Sequence, residues 1–208
     1  MAVESIWYET KLPQELIGVI ERDLNSNFNN QLLPGKTIDT DSPQKTIRDS
    51  QICWVPEIYW IGGFIMNYVN IANRENFMYD LHHIDQQTMQ YTTYKKGEYY
   101  GWHCDQDIPT FYNRQASAFN VSPGNELLRD FANIETETVR KLSFSLLLND
   151  DYEGGQFQFL NGSGELYETP KKKGLLIVFD SRTRHRVRPV KSGVRKSIVG
   201  WVVGPRWK

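Results

Sequence analysis

The second half of the chain alternates apolar and polar residues with a period of two, and this pattern constrains the fold more than any other feature. The alternation begins near Thr88, and short runs of the same kind recur as far as Val203. Turn residues separate the runs, among them Gly154-Gly155 and Ser192-Gly193. A period of two is that of a strand with one buried face. Closely spaced short strands are typical of a sandwich or barrel rather than of βαβ units. We predict strands at 89–94, 99–105, 140–149, 155–160, 175–179, 186–190 and 197–203.

The first part of the chain has a different texture, mixed and partly helical. Pro13 opens a candidate helix in which Leu16, Ile17, Ile20 and Leu24 recur at helical spacing. A second helix is expected to begin near Pro56, although Gly62 and Gly63 each weaken it by about 1 kcal/mol relative to alanine. We attribute these two glycines to tight packing of the helix on a sheet. The predicted organisation is an N-terminal extension over 1–84 packed on a β core over 85–208, together forming one structural unit.

Composition excludes several classes of protein. The 208 residues carry 24 basic and 25 acidic side chains, so a globally basic nucleic-acid binder is not expected. The two cysteines, Cys53 and Cys104, provide neither a disulfide framework nor a cysteine zinc site, and they fit a reducing compartment. The most apolar run, 58–66, is shorter than the roughly 20 residues that cross a bilayer, and the first residues do not resemble a signal peptide. We expect a cytoplasmic protein without membrane contact, in the host cytoplasm if a phage encodes it.

His103-Cys104-Asp105 places an imidazole and a carboxylate on a predicted strand. Alternation along the strand turns His103 and Asp105 to the same face. His185, which lies 82 residues later, is the candidate for a third ligand. Two histidines and one carboxylate form the facial triad of non-haem Fe(II) oxygenases, which leaves open positions on the metal, whereas a structural zinc site closes all four. The adjacent His82 and His83 are interpreted as surface or packing histidines.

Arg195 follows His185 by ten residues, beyond a turn, so we expect a hairpin to return it alongside the strand of His185. A buried arginine requires an anion, because an unpaired internal charge is costly. The planar guanidinium binds a carboxylate through two parallel hydrogen bonds, and a dicarboxylic co-substrate would supply one. Ser197 shares the face of Arg195 and is a second candidate donor. The alternative is that Arg195 belongs to a basic surface.

A basic surface is expected over 171–196, where ten lysines and arginines accompany one acidic residue, Asp180. Arg186 and Arg188 are out of phase with His185, and they point outward if His185 points inward. Most of this charge is interpreted as a solvated face. The less favoured interpretation is a track for a nucleic-acid or other acidic substrate.

Residues 106–139 interrupt the β pattern with an irregular segment that contains Pro109, Pro123 and Gly124. Long irregular insertions in compact domains are often binding loops or lids, so this segment is a candidate lid. Aromatic residues near the predicted site, including Tyr100 and Trp102, are expected either to line a cleft or to pack in the core.

Together these residues resemble the prolyl 4-hydroxylase-like branch of the Fe(II)/2-oxoglutarate dioxygenases, in particular its bacterial and phage-type members. The resemblance covers residues 48–201. Each motif alone is weak, but their order along the chain is specific. The matching positions are Tyr94 before Gly97, His103-Cys104-Asp105, Leu146-Leu147-Leu148-Asn149, Gly154-Gly155, the glycine-led strand 174–179, His185, Pro189-Val190, Gly193, Arg195 and Trp201.

The resemblance implies a double-stranded β-helix, or jelly roll, with N-terminal helices packed on one sheet. It implies Fe(II), 2-oxoglutarate and O2 as cofactor and co-substrates, with L-ascorbate as a supporting reductant. It assigns His103, Asp105 and His185 to the iron, Arg195 to the 5-carboxylate of 2-oxoglutarate, and Tyr94 to a hydrogen bond with the co-substrate. Leu147 departs from the family's animal members, which have a second co-substrate tyrosine at that position.

The implied activity is hydroxylation of a C–H bond with release of succinate and CO2. A prolyl or other residue of a peptide or protein is the favoured substrate. Two alternatives remain: the same chemistry on a nucleic acid or small molecule, and a non-catalytic jelly-roll binding protein.

Overall fold

The computed structural model describes residues 6–35, 47–106 and 138–207. It is mainly β, in agreement with the prediction, and includes the helices α1 (Gln14–Asn27) and α2 (Trp60–Ala72). Short helical turns lie at Asn29–Gln31, Asn73–Phe77 and Asp85–Gln87. The strands are β1 (Trp7–Lys11), β2 (Leu33–Pro34), β3 (Arg48–Asp49), β4 (Gln51–Pro56), β5 (Thr88–Tyr94), β6 (Tyr99–His103), β7 (Thr138–Leu147), β8 (Glu153–Gly154), β9 (Phe157–Leu160), β10 (Leu166–Glu168), β11 (Leu175–Asp180), β12 (Arg184–Val187), β13 (Val190–Ser192) and β14 (Arg195–Pro205).

Two antiparallel sheets face each other. The larger sheet has the strand order β1-β11-β7-β14-β5-β4-β2, and the smaller sheet has the order β10-β9-β12-β6-β3. A separate two-stranded ribbon pairs β13 with β8. The longest strand, β14, lies inside the larger sheet, where it pairs with β5 on one side and β7 on the other. A strand paired on both sides is held along its length, so β14 is a rigid platform for its inward-facing side chains.

The two helices cover the outer face of the larger sheet. Helix α1 buries Ile17, Ile20 and Leu24, the spacing that predicted it. These side chains join α2 residues and outward-facing sheet residues such as Ile198 and Val202 in one buried cluster. The N-terminal helices therefore pack on one sheet, as expected.

A second buried cluster, rich in phenylalanine, fills the space between the two sheets. Phe157 and Phe159 from the smaller sheet meet Phe179 from the larger, with ring centroids 4.8 to 5.9 Å apart. Edge-on contacts of this kind add to the apolar area buried by each ring. The aromatic cluster fixes the separation of the two sheets beside the functional residues.

The N-terminal part of the chain is built into the sheets. Strand β1 forms one edge of the larger sheet on β11, and β4 pairs with β5 over six residues. Strand β3 belongs to the smaller sheet, so the chain changes sheet at Ser50. The predicted division at residue 84 marks where the sequence pattern changes from mixed and partly helical to alternating. The strands before it nevertheless complete both sheets.

Most of the predicted insertion 106–139 lies outside the described residues, and with it the candidate lid. Within the described part of the chain, no helix combines the length and the apolar character that a bilayer crossing requires.

The adjacent glycines of α2 offer a matched test of local packing. A Cβ at Gly62 would collide with the carbonyl oxygen of Glu57, whereas a Cβ at Gly63 meets no atom within 4 Å. The close approach is therefore to the preceding turn and not to the sheet. We expect Gly62→Ala to lower the free energy of unfolding by about 1–3 kcal/mol and Gly63→Ala to raise it by about 0.5–1 kcal/mol. Urea unfolding measures both, and equal effects of the two changes would contradict this account.

Candidate active site

His103, Asp105 and His185 converge between the sheets, and we call them the His–Asp–His group. One ligand atom from each lies within 4.8 Å of the others. The Asp105 carboxylate is 3.7 Å from Nε2 of His103 and 3.4 Å from Nε2 of His185. Strand pairing brings the two histidines together, because His185 on β12 is the register partner of His103 on β6. Among the described residues, His82 and His83 belong to no such group.

An irregularity in β6 orients His103. Two residues along β12, from His185 to Val187, are matched by three along β6, from His103 back to Tyr100. This extra residue is a β-bulge, which re-aims the side chains that follow it. As a result Tyr100 and His103 lie on the same face, with their rings stacked at 3.5 Å.

The prediction of one straight strand over 99–105 is wrong in its last residues. β6 ends at His103, and Asp105 follows it in a turn where the backbone N–H of Asp105 donates to the Ser181 carbonyl. The carboxylate reaches the histidines because the turn is tied to the chain after β11, and not because of strand alternation.

Backbone carbonyls fix both imidazole rings. Nδ1 of His103 lies 2.8 Å from the Gly101 carbonyl, and Nδ1 of His185 lies 2.9 Å from the Thr183 carbonyl. Nδ1 must carry a proton to donate to a carbonyl, so Nε2 is the atom of each ring that faces Asp105. Burial lowers the pKa of His103 to about 3, so this ring is neutral near pH 7.

The Asp105 carboxylate is held in its ionised form. Burial raises its pKa, but the neighbouring His185 and His103, the Arg140 guanidinium and a hydrogen bond from Ser143 outweigh burial, so the net pKa is lowered. The Ser143 hydroxyl lies 2.7 Å from Oδ2 of Asp105 and 2.9 Å from the Ser181 hydroxyl. Two imidazoles and one ionised carboxylate form a donor set suited to a divalent metal.

Arg140 supports the turn that carries Asp105, a role that sequence reasoning missed. Its Nε and Nη2 both lie 2.6 Å from Oδ2 of Asp85, and its Nη1 donates to the Asp105 carbonyl at 3.3 Å. The guanidinium also lies 3.9 Å from the centre of the Trp201 ring. Asp85 and Arg140 are 55 residues apart, and no local pattern in the sequence connects them.

Arg195 lies on the opposite wall of the same cavity. It is 3% exposed, its Nη1 donates to the Ser197 hydroxyl at 2.8 Å, and its Nε has no hydrogen-bond partner in the part of the chain that the structure describes. No carboxylate among the described residues pairs with it. Its guanidinium lies 5.6 Å from the ring of Tyr94, its register partner on β5.

The expected hairpin between the strands of His185 and Arg195 is wrong. β12 pairs with β6 and β9 in the smaller sheet, whereas Arg195 begins β14 in the larger sheet. The turn at Gly193 passes the chain from one wall to the other through β13. The His–Asp–His group and the arginine therefore face each other across the interior.

A second buried arginine, Arg48, lines the cavity and was also missed. It is 6% exposed and donates to the Ser50 hydroxyl at 2.8 Å and to the Gln90 amide oxygen at 3.1 Å. Its guanidinium lies 4.7 Å from the centre of the Tyr100 ring. Like Arg195, it pairs with no carboxylate within the described ranges. The cavity thus presents cationic groups on both walls beside the His–Asp–His group.

The arginines that flank His185 on and after β12 lie on the outer surface. Arg184 and Arg188 are exposed, and Arg186 packs 4.4 Å over the ring of Trp102 while its Nε donates to Gln158. They face away from the cavity, whereas His185 between them is buried.

Comparison with protein families identifies the class. The model of the 2OG-Fe(II) oxygenase superfamily matches residues 89–203, more than half of the chain, and this chain belongs to that superfamily.

The curated relatives match over shorter stretches. A PKHD-type hydroxylase of Synechococcus sp. strain CC9902 is 48% identical over 67 residues, which cover 30% of this chain and 29% of the relative. One from Stenotrophomonas maltophilia is 30% identical over 115 residues, covering 54% of this chain and 41% of the relative. The matches thus span less than half of the length of these relatives.

Solved structures confirm the jelly-roll fold. A prolyl-4-hydroxylase from Pseudomonas putida superposes with a TM-score of 0.67 at 20% identity, covering 98% of this chain and 94% of that chain. A viral collagen prolyl hydroxylase from Paramecium bursaria Chlorella virus-1, solved with 2OG, gives 0.62 at 19% identity, covering 96% and 97%. A Trichoplax adhaerens prolyl hydroxylase, solved with a peptide fragment of hypoxia inducible factor, gives 0.67 at 16% identity, covering 95% and 83%.

The buried Arg140–Asp85 pair should matter more to stability than an exposed pair. We expect Arg140→Met to lower the free energy of unfolding by about 3–5 kcal/mol, because the buried Asp85 carboxylate would lose its ion pair with the guanidinium. Lys173→Met, which breaks the more exposed pair with Glu21, should cost about 1 kcal/mol or less. Denaturant unfolding compares the two variants, and a loss in Arg140→Met no larger than in Lys173→Met would show that this pair does not stabilise the fold.

Proposed function

We propose that this protein is an Fe(II)- and 2-oxoglutarate-dependent dioxygenase that hydroxylates a C–H bond, with release of succinate and CO2. One observation carries the proposal: the His–Asp–His group faces Arg195 across one cavity, and no carboxylate of the described residues pairs with that arginine. A metal held at one wall and an anion held at the other match the two ends of a keto dicarboxylate.

The residues present fit Fe(II). Two imidazoles with Nε2 facing inward and one ionised carboxylate form the set typical of non-haem Fe(II) oxygenases. Fewer than four protein ligands leave coordination positions open, unlike a structural zinc site. We assign His103, Asp105 and His185 to the metal, with Ser143 orienting the carboxylate.

The opposite wall fits the far carboxylate of 2-oxoglutarate, meaning the one remote from its keto group. Among the described residues, the Arg195 Nε has no hydrogen-bond partner, and neither has the buried hydroxyl of Thr92, the register partner of Ser197. Buried polar groups of this kind are costly unless a ligand or water satisfies them. We assign Arg195 and Ser197 to this carboxylate, and Tyr94, whose ring lies beside the guanidinium, to the same subsite.

In the proposed reaction, the metal supplies the redox chemistry with dioxygen and a chelation site for the keto acid. The protein supplies binding, orientation and exclusion of water. Arg195 and Ser197 hold one end of the co-substrate, so that its keto acid end meets the His–Asp–His group. The Tyr100 ring stacked on His103 and the buried Trp201 enclose this end of the cavity.

The favoured substrate is a prolyl or other residue of a peptide or protein. The prolyl hydroxylases that share the fold support this choice, and one of them was solved with a peptide. Ascorbate is proposed as an auxiliary reductant that restores oxidised iron.

Loss of a metal ligand tests the proposal directly. We expect His103→Ala to abolish substrate-dependent formation of succinate from 2-oxoglutarate, measured with Fe(II) and a panel of prolyl peptides. The control is His82→Ala, which removes an exposed histidine outside the group. If His103→Ala turns over at the rate of the unmodified protein, the metal assignment is wrong.

Loss of the anchor should act on co-substrate affinity. We expect Arg195→Ala to raise the 2-oxoglutarate concentration needed for half-maximal turnover by about a hundredfold, because a buried charge pair is worth several kcal/mol. Arg188→Ala, on the outer surface, should leave this titration in place. An unshifted titration for Arg195→Ala would place the anchor elsewhere.

A further inference from the structure

A second cavity adjoins the first one at Arg195. Leu147, Ile177 and Tyr152 line it, and it shares Arg195 with the cavity of the His–Asp–His group. Ser145 and Phe157 also line both cavities. The Arg195 guanidinium therefore borders two cavities, and Tyr152 is the tyrosine that lines the second one.

Two glycines fix the position of Tyr152. It lies between β7 and β8 and is 5% exposed. A Cβ at Gly155 would come within 3.0 Å of the Tyr152 ring and 3.3 Å of the Arg195 side chain. A Cβ at Gly193 would come within 3.0 Å of the Tyr152 Cα and Cβ. Both glycines have positive φ, 59° and 74°, which other residues rarely adopt, so the loop is shaped to press this tyrosine against Arg195.

The Tyr152 side chain interacts with Arg195, whose charge and hydrogen bonding lower the pKa of the phenol against the effect of burial. The Lys171 amine donates to the Tyr152 backbone carbonyl at 2.5 Å and lies 4.9 Å from the centre of the ring. Leu147, beside Ser197 in register, offers only carbon atoms to the same space.

We propose that the Tyr152 hydroxyl, together with Arg195, binds the far carboxylate of 2-oxoglutarate. The inference rests on the proposed function and adds a residue to its co-substrate subsite. A phenol and a guanidinium placed side by side give a carboxylate donors from two directions, and such charge-assisted hydrogen bonds are stronger than neutral ones.

The ionisation of the phenol agrees with this role. Burial raises the pKa of Tyr152, and the charge and hydrogen bonding of Arg195 oppose burial without cancelling it. The net pKa lies above the usual value, so the hydroxyl keeps its proton near pH 7 and remains a donor.

Binding of two keto acids separates a contact with the carboxylate from a packing role. The first is 2-oxoglutarate, and the second is 2-oxopentanoate, which has a methyl group in place of the far carboxylate. Both are titrated by calorimetry into the Fe(II)-loaded protein without oxygen. The variant is Tyr152→Phe, and the control is Tyr167→Phe, whose hydroxyl donates to Glu165 at the surface.

We expect Tyr152→Phe to weaken 2-oxoglutarate about tenfold, the effect of one hydrogen bond to a charged group, and to leave 2-oxopentanoate unchanged. Tyr167→Phe should change neither. Equal weakening of both keto acids by Tyr152→Phe, or no weakening of either, would overturn the inference. If the unmodified protein itself binds 2-oxoglutarate no more tightly than 2-oxopentanoate, the proposed co-substrate is wrong, which is a different result.

Discussion

The pairing of His185 with His103 across β12 and β6 is the contact on which the site depends. It brings together two side chains 82 residues apart, and a bulge in β6 turns His103 and Tyr100 to the same face. A bulge disturbs the ladder, so it persists where neighbouring contacts compensate for it. Here Gly101 supplies them, because its N–H donates to the Ile47 carbonyl while its own carbonyl accepts from His103.

The buried arginines in and near the cavity differ in whether a carboxylate pairs with them. Arg140 is neutralised by Asp85, whereas Arg48 and Arg195 pair with no carboxylate in the part of the chain that the structure describes. Asp105, whose carboxylate lines the same cavity, contacts the two histidines. Buried positive charge without a counter-ion is costly in a protein interior, and anionic ligands relieve that cost. The two arginines therefore favour binding of an anion in the cavity, which agrees with an acidic co-substrate.

The sequence predicted the parts of this arrangement that follow from periodicity. The alternation of β14 places Arg195 and Ser197 on the inner face and Ile198 on the outer one, and the order of motifs indicated the jelly roll. The sequence pattern did not predict the bulge in β6, because one extra residue does not visibly change the periodicity of a short aromatic run. It also did not predict the Arg140–Asp85 pair, which depends on the tertiary fold, or the role of β1, which is too short to show a period.

The division of the site between two sheets determines which co-substrates fit it. The two histidines of the group lie on the smaller sheet and Arg195 on the larger, so the packing of the sheets sets the distance between them, and facing sheets lie about 10 Å apart. Phe157, Phe159 and Phe179 hold that separation beside the cavity. Because close-packed aromatic cores resist compression, we expect a shorter dicarboxylate to reach only one of the two walls. Selection for chain length thus comes from the thickness of the core as well as from the groups that touch the ligand.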